Sequence, residues 1–176
     1  MIRKLHHSAY RCRNSEETRR FYEDFLGLPL AATFTFSHTK TGRPTRTLHT
    51  LYRMGDGSYL AFFETVGAHF DFKAQHDFDL HIALEVDAHA LPAMLEKGAK
   101  HGLETRGITD HGFLESIYLR DPNGYVIELC ARKAGHDARL DPAVNGAREE
   151  LDRWTAATAP ASAITPALQR FARVPG

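Results

Sequence analysis

The sequence predicts an α+β fold: two βαβββ modules in tandem, followed by a helical extension. Three observations carry this. The order strand, helix, three strands is readable twice along the chain, in units of about fifty to sixty residues, a length at which internal repeats matter. Each unit holds one amphipathic stretch at helical spacing among segments that alternate or run apolar. A histidine in the first strand and a glutamate in the last recur in both units.

Residues 3–13 alternate loosely and read as the first strand. "NSEETRRFYEDFLG" reads as a helix, capped by Asn14 or Ser15, with Glu16 and Glu17 at its positive end and Gly27 as its stop. Phe21, Tyr22, Phe25 and Leu26 form its apolar face. Residues 29–37 and 46–54 read as strands around "HTKTGRP", and a turn at Gly55-Asp56-Gly57 leads to a fourth strand ending at Glu64. A linker over residues 65–77 separates the modules, taken as 1–65 and 78–132. The second opens with the strand "DLHIALEV", then "DAHALPAMLEKGAKHG" as a helix capped by Asp87, then strands at 103–109 and 115–120. "RDPNGYVIELC" closes it. Its Asp-Pro-Asn-Gly is strong turn chemistry, and the strand that follows is apolar except for Glu128.

The 176 residues balance 22 Lys and Arg against 22 Asp and Glu, so no broad basic field favours nucleic acid or an anionic membrane. No run of about 18 apolar residues marks a membrane span, and charges interrupt "MIRKLHHSAYRCR" too often for a signal peptide. The two cysteines, Cys12 and Cys130, imply no disulfide framework; they read as small core residues, and a reducing cytoplasm is expected.

A buried ionised glutamate is costly unless paired or bound to a metal, and Glu128 raises that question. In "DLHIALEV" the residues Leu80, Ile82, Leu84 and Val86 share a face, so His81 points the other way with Ala83. Glu128 shares its face with Val126 and Cys130. His7 and Glu64 stand at the matching places in the first module. A lone strand histidine or glutamate is ordinarily structural; the recurrence is what predicts that the four residues converge on one cation.

"LHHSAYRCRNSEETRRFYEDFLGLPL", "DLHIALEV" and "SIYLRDPNGYVIEL" resemble the vicinal oxygen chelate superfamily, which includes glyoxalase I, fosfomycin-resistance proteins, extradiol dioxygenases and bleomycin-binding proteins. The resemblance covers roughly residues 3–132. It implies paired modules around a glyoxalase-like cleft, with one divalent metal chelating a small substrate through neighbouring oxygens. By the same resemblance His7, His81 and Glu128 are metal ligands, with His6 competing on the first strand, and Glu64 matches the fourth ligand of glyoxalase I. Arg11 falls where glyoxalase I holds a glutathione carboxylate, although Ala68 replaces that enzyme's asparagine. Tyr118 matches a substrate-orienting tyrosine, and His111 in the "DHGF" loop is a further cleft candidate.

Two histidines and one or two carboxylates suit Fe(II), Mn(II), Ni(II), Co(II) or Zn(II). With Glu64 as a fourth ligand the site resembles that of glyoxalase I, and the resemblance implies lyase or isomerase proton transfer with Glu128 as the base. The alternatives are an Fe(II)-dependent extradiol cleavage, for which the acid–base histidine is replaced by Ser58, Tyr59 and Leu60, then a fosfomycin-type thiol transfer, and a metal-free binding protein. A homodimer is a further expectation. Residues 134–176 lie outside the resemblance. There Asp141-Pro142 reads as a helix start, with Val144, Ala147, Leu151 and Trp154 as a stripe packed on its own domain or on a dimer partner, or as a lid, and the chain beyond Ala156 reads as a tail.

Overall fold

In each module the strand that precedes the helix pairs in parallel with the last strand, and the other strands add in antiparallel order. The computed structural model describes residues 1–74 and 76–158. The first module comprises β1 (His7–Arg11), α1 (Ser15–Arg19) continuing as a π-helical segment (Arg20–Phe25), β2 (Leu30–His38), β3 (Pro44–Arg53) and β4 (Tyr59–Thr65). The second comprises β5 (His81–Glu85), α2 (Ala90–Lys100), β6 (Thr105–Asp110), β7 (Leu114–Arg120) and β8 (Val126–Arg132). The sheet orders are β1-β4-β3-β2 and β5-β8-β7-β6, so the repeat read from the sequence is the repeat of the fold.

Local chemistry explains the ends. Asn14 caps α1 by accepting the Glu17 amide at 2.9 Å, and Gly27, at φ 82°, lets the chain leave the helix. Asp87 is not the cap expected for α2. That helix begins at Ala90, whose amide bonds the Asp87 carbonyl, and no side chain caps it.

The helix-bearing faces of both sheets meet in one core. Phe62 of β4 packs on Tyr22, with ring centroids 4.6 Å apart, and Tyr10 of β1 lies 5.2 Å from Tyr125 of the second module. Lys97 of α2 donates to the Phe25 carbonyl at 2.5 Å. The Asp-Pro-Asn-Gly turn is buried against the first module: Tyr22 donates to Asp121 at 3.0 Å, Arg13 N to Asn123 at 2.9 Å, and Tyr125 to the Arg11 carbonyl at 3.0 Å. Cys12 belongs to this core, and Cys130 is half-buried.

Chain contacts separate Met1–Arg132 from a second unit beginning at Lys133. That unit holds α3 (His136–Leu140), which the sequence reading did not anticipate, and α4 (Ala147–Thr158). Asp141 accepts the Ala143 amide in a turn, so the helix expected from Pro142 starts at Ala147 and Val144 lies ahead of it. The helix passes Ala156 and continues to Thr158; the rest of the expected tail lies outside the described residues. Among the described residues no helix is long and apolar enough to cross a membrane.

Candidate metal and substrate site

The site is built on the face of the second sheet that turns away from α2. Strand alternation puts Ile82, Leu84, Ile117, Leu119, Ile127 and Leu129 into the core, which leaves His81, Ser116, Tyr118 and Glu128 on the opposite face. Register aligns Tyr118 with Glu128 and Ala83 with Glu128. Glu128 is only 7% exposed. Its Oε1 accepts from Ser116 at 2.5 Å and from Tyr118 at 3.4 Å, while Oε2 lies 3.2 Å from His81 Nε2.

The other histidine nitrogen defines that last contact. His81 Nδ1 lies 2.7 Å from the Asp77 carbonyl. A carbonyl only accepts, so Nδ1 carries the proton and the Nε2 lone pair faces a carboxylate oxygen. Two acceptors at this distance need a proton or a metal ion between them. Ligands at right angles on an ion with bonds of about 2.1 Å stand about 3 Å apart, so the pair fits two neighbouring positions.

Around it, His111 Nε2 lies 2.9 Å from the Tyr118 hydroxyl, and the Arg106 guanidinium sits 4.5 Å above the Tyr118 ring while paired to Asp77. Burial, and then the charge of Glu128, push the Tyr118 phenol above its ordinary pKa. A groove of about 590 Å³ runs beside Tyr118, lined also by His76, Asp77, Glu104, Arg106 and Arg120.

His81, Glu128, Tyr118 and His111 are thus brought together; the four expected ligands are not. Among the described residues no three His, Cys, Asp or Glu side chains form a group that could hold a metal ion. Glu64 lies on the helix-bearing face with Leu60 and Phe62, and its Oε2 accepts the Ser15 amide at 2.6 Å. Phe63 takes the opposite face, where it stacks on His49. His7 and Arg11 also lie on that opposite face, because Ser8 and Tyr10 of the same strand turn towards the core. His7 Nδ1 is 2.8 Å from His6 Nδ1, so the competing histidine is its hydrogen-bond partner.

Sequence reading missed Ser116, Asp77 and Arg106. Ser116 was within reach of it, standing two residues before Tyr118 on the same strand face. Asp77 and Arg106 lie outside the quoted motifs, and only folding brings them to His81 and Tyr118.

The model of the Glyoxalase/Bleomycin resistance protein/Dioxygenase superfamily matches residues 4–129. The chain belongs to this superfamily. No curated protein matches it significantly. Among solved structures, a glyoxalase family protein from Bacillus cereus superposes with TM-score 0.62 at 15% identity, covering 75% of this chain and 95% of its own. The fosfomycin resistance protein FosX from Listeria monocytogenes, in complex with Mn(II) and sulfate, gives 0.58 at 17%, covering 78% and 99%. The trypanothione-dependent glyoxalase I of Leishmania major gives 0.58 at 19%, covering 90% and 100%. These likenesses establish the superfamily fold, which hosts metal-dependent vicinal oxygen chelate enzymes and also binding proteins.

Proposed function

We propose that the protein is a divalent-metal-dependent enzyme acting on a small substrate with adjacent oxygens, by glyoxalase-like proton transfer of the lyase or isomerase type. The observation that carries this reading is His81 Nε2 standing 3.2 Å from the Glu128 carboxylate while Nδ1 is held by the Asp77 carbonyl. His81 and Glu128 would hold the ion, with His7 of a second copy as the third ligand. Bound there, the metal would act as a Lewis acid on the two substrate oxygens. Glu128 is the base, its carboxylate aimed by Ser116 and Tyr118. The Tyr118 hydroxyl, kept protonated by its raised pKa, would turn its one proton from Glu128 to a substrate oxygen.

One observation favours a second reading. Glu64 bonds the Ser15 amide on the far side of its sheet, so a site of two histidines and one carboxylate keeps the further open position that oxygen-dependent ring cleavage needs.

Metal content, oxygen uptake and anaerobic turnover decide between them. The expected result is one divalent ion per chain in wild type, its loss in His81→Ala, and anaerobic turnover of methylglyoxal with a thiol. Oxygen consumption with a catechol by the Fe(II) form would establish ring cleavage instead. Equal metal in wild type and His81→Ala after chelation and reconstitution would place the ion elsewhere, and no metal in wild type would leave a metal-free binding protein.

A further inference from the structure

The face of the first sheet that carries His7 also carries an aromatic row that the proposed metal chemistry leaves unused. Register sets Phe34 opposite His49, His49 opposite Phe63, and Phe63 beside Arg11. Phe36 shares the face, two residues beyond Phe34. The His49 and Phe63 rings stack 3.8 Å apart and 5° from parallel. His49 Nδ1 lies 3.1 Å from the Phe62 carbonyl, which fixes the ring orientation and its proton. Phe34 and Phe36 each stand 6.4 Å from His49 and are 51% and 42% exposed. A ladder of threonines, Thr45 to Thr47 at 2.7 Å and Thr47 to Thr65 at 3.1 Å, gives the row a polar border. Arg11, at its end, is exposed and makes no ion pair among the described residues.

Size and charge choose the occupant. The bare phenyl surface amounts to roughly 200 Å². It matches one or two fused rings. A lone guanidinium beside such a surface selects an anionic substituent, which it can hold through two parallel hydrogen bonds. We infer that this face binds a flat aromatic ring stacked on the Phe34, Phe36, His49 and Phe63 cluster, with an acidic group paired to Arg11. The inference rests on the proposed function only in taking this ligand for the substrate, since His7 shares the face; the binding itself needs no metal.

The test is titration calorimetry on the full-length, metal-stripped protein with 1-hydroxy-2-naphthoate, 2-naphthol and cyclohexanecarboxylate. The naphthoate is expected to bind best, 2-naphthol about tenfold more weakly, and cyclohexanecarboxylate not measurably. Phe34→Ala with Phe36→Ala should weaken the naphthoate tenfold or more, and Arg11→Gln should weaken the naphthoate while sparing 2-naphthol. Should the alanine pair unfold at a lower temperature, Phe34→Leu with Phe36→Leu keeps apolar bulk without rings and should give the same loss. Naphthoate binding unchanged in these variants, absent from wild type, or matched by cyclohexanecarboxylate overturns the inference. So does a double variant that dissociates an oligomer yet binds naphthoate normally. Naphthoate binding that survives while metal binding fails overturns the proposed function alone.

Discussion

Asp77 organises the site through both of its ends. Its carbonyl fixes the His81 tautomer, and its carboxylate holds Arg106 over the Tyr118 ring. The Arg106 guanidinium keeps the Asp77 carboxyl below its ordinary pKa, so this pair persists into mildly acidic solution. Asp77→Ala should release Arg106 and loosen the residues that orient His81, weakening metal affinity by about tenfold. Competition with a chelator measures this, and unchanged affinity would make Asp77 a surface residue only. Glu64→Gln should leave metal affinity intact and lower stability by about 1 kcal/mol through its bond to the Ser15 amide, read by denaturant unfolding. His81 and Glu128 were legible because each stands as a polar residue among apolar strand neighbours, and Tyr118 through the family motif that ends at Glu128. Glu64 was misread because "YLAFFE" is apolar on both faces, and in a strand a slip of one residue reverses the face.

The turn Asp121-Pro122-Asn123-Gly124 is an element whose shape was legible and whose task was not. Asp121 accepts from Tyr22, from the amide and side chain of Asn123, and from the Tyr125 amide. Replacing it by alanine strands those donors in a buried place and should cost about 3 kcal/mol or more in unfolding free energy. Burial raises the Asp121 pKa despite these bonds. A raised carboxyl binds its proton more tightly in the folded state, so its contribution is full below the unfolded value and is lost as pH rises through the folded one. Relative to Asp121→Asn, wild type should therefore gain stability as pH falls from 7 towards 4; a difference that stays flat would contradict the burial argument. Gly124, at φ 95°, is fixed for another reason. A Cβ there would sit 2.5 Å from the Lys73 amide nitrogen, so Gly124→Ala should destabilise by about 1–3 kcal/mol in the same unfolding measurement.

At the scale of the whole molecule, packing the helix-bearing faces together leaves both open sheet faces turned outward. One carries His7 and Arg11, the other His81 and Glu128, so the described residues of one chain do not assemble a three-ligand site. A second copy would supply the missing histidine, and this makes a specific prediction. His7→Ala and His81→Ala, each inactive alone, should regain activity when their subunits are exchanged. Random pairing would restore about a quarter of the wild-type sites. Mixed dimers that form without regaining activity would place the third ligand elsewhere.

The duplicated module, the order of its elements and the polar pair His81 and Glu128 were determined by the sequence alone. Helical and strand periodicities, turn residues and a lone carboxylate in an apolar strand are local signals, each readable within about ten residues. Which sheet face meets the other module was decided only by tertiary structure. Tyr10, Tyr22, Phe62 and Tyr125 bury against one another across the modules, and that packing turns His7 outward while drawing Glu64 to the start of α1. Burial of apolar area is non-directional in sequence: it says that these rings will be covered, and only the assembled sheets say by what.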